Sequence, residues 1–423
     1  MRFRTTTIKS AIVAGSLLAA VAMAQSPSYT VTDLGIVGPA GQPFTVTNNV
    51  LVSGAVQTGS TVQAVLWYKG RMVDLGPDGA TGRNSMAFSV NRTGQAAGEA
   101  QTAAPDPNGE DFCGFTALGL TSSGTTCNAF LWQNGVMTAL PTLGGNNGLA
   151  NQINLWGEAA GTAEEDTADS ACPSGGSQKL HFKPVVWQNG SIAELPTYSG
   201  DPDGQANAVN DHGDVAGGSG ECVAFNPIWL TNLQPLHALL WENGKATDLG
   251  SLGGTGHGNG IMAENLNNAG LVIGFSDLAG DANFHAFAWT RESGMMDLGT
   301  VSGDLNSAAI GSNDAGQVVG VSLDASFNPR AFLRQGENLI DLNTLVPSGG
   351  SLYLATACSI NAAGEITGIA FDSGGNVHGY LAVPNNSGDA PEALPGMARP
   401  AWSIPPSNGT SRFQFQRFGL SKQ

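Results

Sequence analysis

Histidines, clustered acids and cysteines are the residues of this chain that could do chemistry, as proton carriers, cation ligands or redox pairs. Three histidines share one setting. His237, His285 and His378 each stand four residues before the same position of a repeated pattern, and Gln63, Asn128, Lys183 and Arg330 fill that slot elsewhere. A slot that accepts amides, imidazole and cations is a hydrogen-bonding position, not a ligand set. His212 sits in a turn, and His257, in Gly256-His257-Gly258, breaks the pattern and stands as a binding candidate. The acids cluster at 106–111, at 164–169 and at Asp201-Pro202-Asp203-Gly204. Calcium needs six to eight oxygens, and no cluster has the spacing of a known calcium loop. Solvated loops are therefore the default reading. Asp201 and Asp203 are kept as metal candidates, with calcium the cation and no other cofactor implied. No Gly-x-Ser-x-Gly elbow occurs, and the Gly-Gly pairs precede no helix as a phosphate loop would require. No residue is assigned a catalytic role.

The elements that must position these groups come from a repeat. Seven times between Tyr29 and Pro384 the chain restates all or part of one unit, clearest at His285-Ala286-Phe287-Ala288-Trp289, then Met296-Asp297-Leu298-Gly299, Ala308-Ala309-Ile310 and Val318-Val319-Gly320. Each unit holds four short apolar runs: an aromatic run, a run into Asp-Leu-Gly, a run ending on Asn, and a Val/Ala/Ile-Gly run. Asn-Gly turns such as Asn189-Gly190 join the first two, and Asn-x-x-Gly turns such as Asn267 to Gly270 join the last two. A unit that cannot bury its own apolar face must stack on its neighbours. Four short antiparallel strands repeated radially predict a β-propeller blade. The N-terminal segment opens on the second run alone, and the aromatic strand at 378–382 has nothing after it. The expectation is thus an all-β, seven-bladed propeller over 25–384, with six whole blades. The seventh would pair the C-terminal strand with the first three N-terminal runs, removing two free edges.

Trp67, Trp132, Trp187, Trp241 and Trp289 keep one repeat position, which predicts inter-blade core rather than sugar stacking. Trp156 and Trp229 lie off it and are freer for function. The repeat acids Asp33, Asp74, Asp248, Asp297 and Asp341 hold one position in five of the seven units and read as scaffold. In a meander the tight turns all fall on one face. The opposite face receives three long insertions, near 101–126, 163–180 and 218–235, following consecutive blades. Long loops on a rigid scaffold are where binding residues concentrate. The insertion face is therefore expected to hold a glycan or protein ligand, with Phe112, Phe115, Phe225 and Trp229, beside cysteines, as its aromatic contacts; the alternative is that these rings pack under their own loops and simply make the insertions compact.

These units resemble the HAF-repeat proteins, a family named for its His-Ala-Phe signature, over most of residues 29–384. The resemblance rests on His285-Ala286-Phe287, on Asp248-Leu249-Gly250 and Asp297-Leu298-Gly299, and on the Asn-Asp-Ala-Gly turn at 313–316. Lys183-Pro184-Val185 and Arg330-Ala331-Phe332 depart from the signature. The resemblance implies an extracellular repeat protein and supplies no mechanism.

Composition agrees with export. Arg2, Arg4 and Lys9, the apolar stretch from Ala11 to Met23, and Ala22-Met23-Ala24 form a leader cleaved after residue 24. No later stretch has the roughly 20 apolar residues of a membrane span. Cleavage removes three of the 17 Lys plus Arg and none of the 34 Asp plus Glu, leaving a charge of about −20. That balance excludes nucleic acid and favours neutral glycans or basic partners. The chain is read as a monomer. Export also permits disulfides. Cys113 with Cys127 would close a short loop, and Cys172 with Cys222 requires two insertions to meet. Spacing leaves the pairing open, and Cys358 reads as a buried free thiol. The functional reading is a secreted, non-catalytic binding scaffold, with a propeller glycan hydrolase or lyase as the alternative. Residues 385–423 form a Pro-rich tail.

Overall fold

A computed structural model describes residues 28–76, 83–121, 124–173, 178–226, 230–347 and 350–385. The leader at 1–24, Trp229, and all of the tail beyond residue 385 lie outside them. Seven four-stranded antiparallel sheets stand around one axis, which is the propeller the repeat predicts. Blades 1 to 6 are contiguous, at 42–74, 85–139, 144–194, 203–248, 261–297 and 306–341. Blade 7 joins 352–384 to the strand Tyr29–Ile36. Among the described residues no helix is long and apolar enough to cross a membrane.

Each blade opens on the run that ends in Asn and closes on the Asp-Leu-Gly run, half a unit out of phase with the sequence reading. Burial explains the phase. The Asp-Leu-Gly strands are four residues long and mostly exposed in blades 1 to 5, as in Arg71–Asp74 and Ser191–Glu194, so they suit only an outer edge. The innermost strands are largely buried, as in Ser85–Val90 and Asp203–Val209. The N- and C-terminal strands pair to close the ring as expected, but the share each end supplies is reversed. One N-terminal strand of Asp-Leu-Gly type takes the outer edge of blade 7, running from Tyr29 opposite Pro384 to Ile36 opposite His378, and the C-terminal chain supplies the three inner strands.

The insertions likewise do not join one blade to the next. They connect the second and third strands of blades 2, 3 and 4, on the face opposite the tight turns. On that turn face Asn134-Gly135, Asn189-Gly190 and Asn243-Gly244 all have positive φ, as two-residue hairpins require. Disulfides Cys113–Cys127 and Cys172–Cys222 form, the second because the insertions of blades 3 and 4 meet.

Two devices repeat around the axis. The first is a bulge in the innermost strand. Residues Ala87, Ala150, Ala206, Ala263, Ala309 and Ala357 face Gly98, Gly161, Gly217, Gly274, Gly320 and Gly368, and the ladder slips immediately after each alanine. A Cβ on any of these glycines would lie 1.9–2.1 Å from a carbonyl oxygen of the innermost strand. The glycine of the Val/Ala/Ile-Gly run is thus the space that lets the bulge form, and a bulge re-aims its unpaired residue.

The second device is a ring of asparagines. Asn91 Nδ2 donates to Asn154 O (2.9 Å), Asn154 to Asn210 O (2.9 Å), Asn210 to Asn267 O (3.4 Å), Asn267 to Asn313 O (2.7 Å), Asn313 to Asn361 O (2.8 Å) and Asn361 to Thr47 O (3.0 Å). Blade 1 carries Thr47 in this slot, and Asn49 Nδ2 completes the circuit to Arg92 O (3.2 Å). Each Asn also caps its own turn, as Asn267 Oδ1 does for the Ala269 and Leu271 amides. Asn267→Ala removes three hydrogen bonds at a buried site and is expected to cost about 3 kcal/mol. Asn267→Asp keeps the two acceptors and should retain part of that stability. Urea unfolding of both variants checks the ordering, and equal losses would count against the ring.

Candidate functional site

The bulges build the site. Each aims a residue into the axial channel: Phe44 and Thr45 from blade 1, Phe88 from blade 2, Asn151 from blade 3, Asn207 from blade 4, Glu264 from blade 5, Ile310 from blade 6 and Cys358 from blade 7. Around the circle these fall into two arcs. Blades 6, 7, 1 and 2 present a mainly apolar wall, in which the Phe44 and Phe88 rings meet edge to face at 4.9 Å. Blades 3, 4 and 5 present amide, amide and carboxyl. The cavity holds about 670 Å³, within the range of ligand sites.

The amides are held in place. Asn151 Nδ2 donates to Ala206 O (3.0 Å) and Asn207 Oδ1 (3.1 Å), and Asn207 Nδ2 donates to Ala263 O (3.1 Å). Glu264 has no hydrogen-bond partner among the described residues, and burial alone pushes its carboxyl up to about 7. It and Cys358 touch channel space but are walled by protein, so both feel a low dielectric despite partial exposure. The same burial raises the Cys358 thiol to about 12, leaving it protonated and unreactive. Below the mouth, Glu264 is the one carboxylate lining the channel among the described residues.

The channel runs from the turn face toward the insertion face. Its mouth lies on the turn face, ringed by Arg92, Leu155, Asp211, Asn268 and Asp314. Trp156 stands beside it, 71% exposed, with its indole N–H on Asp211 O at 2.9 Å. The other end is floored by Leu118 and Leu230, with Phe112, Phe115 and Leu120 packed behind.

That floor takes up two of the aromatics expected as contacts on the insertion face, which pack under their own loop. Phe112 and Phe115 are 4% and 0% exposed, because the insertion has no other apolar interior in which to bury them. The Phe225 ring lies against Gly114, where a Cβ would fall 2.2 Å from it, so Phe225 ties two insertions together. His257 is exposed, bonded to Thr255 at 3.1 Å, and does not reach the channel. The slot histidines behave as hydrogen-bonding groups: His237 meets Asp201 at 2.8 Å, His285 meets Asp297 at 2.9 Å and His378 meets Asp33 at 2.9 Å. The repeat acids lie on outer strands, where Asp33, Asp74, Asp248 and Asp297 cap the glycine amide two residues on. Four of the five repeat tryptophans are buried, and Trp187 and Trp241 donate to Pro141 O and Pro196 O of the preceding blade.

The acidic clusters are only partly solvated. Asp106, Glu110, Glu164, Asp169 and Asp203 are buried. Irregular backbone under a loop has no ladder partners, and carboxylates supply the missing acceptors. Glu110 receives the Lys179 (2.6 Å) and Leu180 (3.0 Å) amides, and Glu164 receives those of Asn146 (3.0 Å) and Asn147 (2.9 Å). Burial, then the nearby Glu110 charge, lifts Glu164 to about 8. Asp201 and Asp203 do not converge as a metal pair. Asp201 turns to Ser219 and His237, and Asp203 to His181 and the Phe182 amide. Burial chiefly raises Asp203 to about 6.

The channel residues were hidden from periodicity. A strand pattern alternates, and a bulge breaks the alternation, so Glu264 reads as an ordinary strand residue. The available signal was the alanine opposite a repeat glycine with one surplus residue before Asn.

Fold and site together define a seven-bladed β-propeller with an axial pocket. No family model and no curated protein matches the sequence. Solved structures match in fold alone. The propeller domain of the Trilobed protease from Pyrococcus furiosus is 8% identical at a TM-score of 0.45, over 86% of this chain and 100% of that one. Acylaminoacyl peptidase from Pyrococcus horikoshii is 10% identical at 0.43, over 84% of this chain and 51% of its own. A lectin from Aleuria aurantia is 8% identical at 0.32, over 85% and 100%.

Proposed function

We propose that this is an exported, non-catalytic binding protein whose axial pocket takes a neutral glycan residue entering from the turn face. The observation that carries the reading is the division of the bulge ring into an apolar arc and an amide–carboxyl arc. A sugar ring has the same two-sidedness, with C–H faces for aromatic contact and hydroxyls for fixed polar groups. A carboxyl near 7 both donates to and accepts from hydroxyls at neutral pH. Trp156 offers a stacking plate at the entrance. Export is part of the proposal and is supported by two disulfides. Kinship with the HAF-repeat proteins also belongs to it, resting on the signature residues at 285–287 and 313–316.

An array of neutral, amino and acidic glycans, followed by calorimetry on the hits, tests the reading. Neutral hits should lose at least about tenfold in affinity with Phe88→Ala or Asn151→Ala, the scale of one apolar or polar contact. Phe225→Ala should leave them unchanged. Binding that survives both channel variants and fails with Phe225→Ala would return the site to the insertion face.

A further inference from the structure

A second cluster lies at the seam of blades 3 and 4, away from the channel. Asp169 follows the strand Ala159–Ala168, His181 lies on Leu180–Gln188, and Asp203 opens the innermost strand of the next blade, Asp203–Val209. His181 belongs to no repeat slot. Its Nδ1 stands 3.1 Å from Asp203 Oδ1 and 3.8 Å from Asp169 Oδ2, and one ligand atom from each residue lies within 4.8 Å of the others.

Among the described residues, His181 is the cation-forming group that these carboxylates meet. Asp203 is 0% exposed, and its Oδ2 is buried without a hydrogen-bond partner among the described residues. Its Oδ1 takes the Phe182 amide, and Asp169 Oδ1 takes the Ala171 amide at 2.7 Å. The nearby lysines are committed elsewhere, Lys183 to Pro202 O and Glu165, and Lys179 to Asn108 O. Buried acids of this kind are normally paired or bind a metal.

We propose that Asp169, His181 and Asp203 form a zinc-class divalent cation site that clamps blade 3 to blade 4. One imidazole and two carboxylates are a borderline donor set suited to Zn²⁺. Bonds of about 2.0–2.1 Å in a tetrahedral site place ligand atoms about 3.3 Å apart, close to the spacings found. The imidazole, 25% exposed, leaves a side open for a fourth ligand from solvent. Calcium does not fit, because it takes six to eight oxygens. Cys172 and Cys222 border the site but are bonded to each other, so zinc is held without sulfur. The cation and that disulfide fasten one seam twice.

Mature protein, dialysed against chelator under non-reducing conditions, is titrated with Zn²⁺ alone by calorimetry and thermal melting. One equivalent is expected to bind and to raise the melting temperature, with Ca²⁺ giving no shift. His181→Gln and Asp203→Asn should each weaken Zn²⁺ binding at least about tenfold, the lower end for disturbing a metal shell. His181 is partly exposed, so its variant is the one expected to fold normally, which circular dichroism verifies. Zinc-edge absorption should show nitrogen and oxygen neighbours and no sulfur. The site is overturned if wild type takes up no Zn²⁺, if both variants bind as wild type does, if Ca²⁺ competes at equal concentration, or if sulfur appears in the shell. None of these outcomes bears on glycan binding in the channel.

Discussion

Folding stability is expected to fall as pH rises from about 5 to about 9, with Glu264→Gln removing part of the fall. Glu264 and Glu164 have folded values near 7 and 8, above their ordinary 4.5, and burial raises Glu99 in the same direction. The native state therefore holds protons that the unfolded chain has already released. Stability depends on pH as unfolded minus native bound protons, so it declines through this window. For Glu264 the penalty is absent below about 4.5, grows between about 4.5 and 7, and is constant above. Its upper bound is about 3 kcal/mol at pH 8, from a carboxyl lifted from 4.5 to about 7; channel water reduces it. His378, raised by its hydrogen bond to Asp33, acts in the same sense, since its contribution disappears as pH rises through its folded value. On the acid side Asp372, held low by Asn376, loses its contribution as pH falls below about 3.8. The optimum thus lies near pH 5. Urea midpoints at pH 5 and pH 8 should coincide for wild type and Glu264→Gln at the lower pH and separate at the higher, the variant being more stable. Parallel profiles at both would show that Glu264 is not held protonated.

Deleting residues 28–36 from the mature chain is expected to cost about 5 kcal/mol or more and to promote self-association. The strand buries Tyr29 and Leu34, at 1% and 7% exposure, each worth about 1.5–3 kcal/mol, besides its ladder to Val377–Pro384. Its loss would bare the edge of that strand, a template for pairing with another chain. Leu34→Ala alone should cost about 3 kcal/mol. A synthetic peptide of residues 28–36, added in trans, should restore part of the melting temperature and suppress association. An unchanged melting curve for the deletion would mean that blade 7 is stable with three strands, and that closure by the N-terminal strand is dispensable.

The sequence by itself determined the number of blades, the four runs in each and the separation of turn face from insertion face. Period and turn chemistry are local, and Asn-Gly or Asn-x-x-Gly forces the same reversal wherever it stands. It also marked the slot histidines and the repeat acids as scaffold, because they stand at fixed positions of the repeat that other copies fill with other residues. Three things only the tertiary structure decided. The phase of the blade depends on which strand tolerates water, and that is set by neighbours around a closed ring. The fate of Phe112 and Phe115 depended on the insertion folding across the channel end, where an aromatic gains more by burial than by waiting for a ligand. The pocket itself arises from bulges, and each bulge needs a glycine on the adjacent strand of the same blade, ten or eleven residues away in most blades. Asn151, Asn207 and Glu264 read along the chain as three unremarkable strand residues. They become one polar wall because the ring closes and brings the bulges of three consecutive blades side by side at the axis.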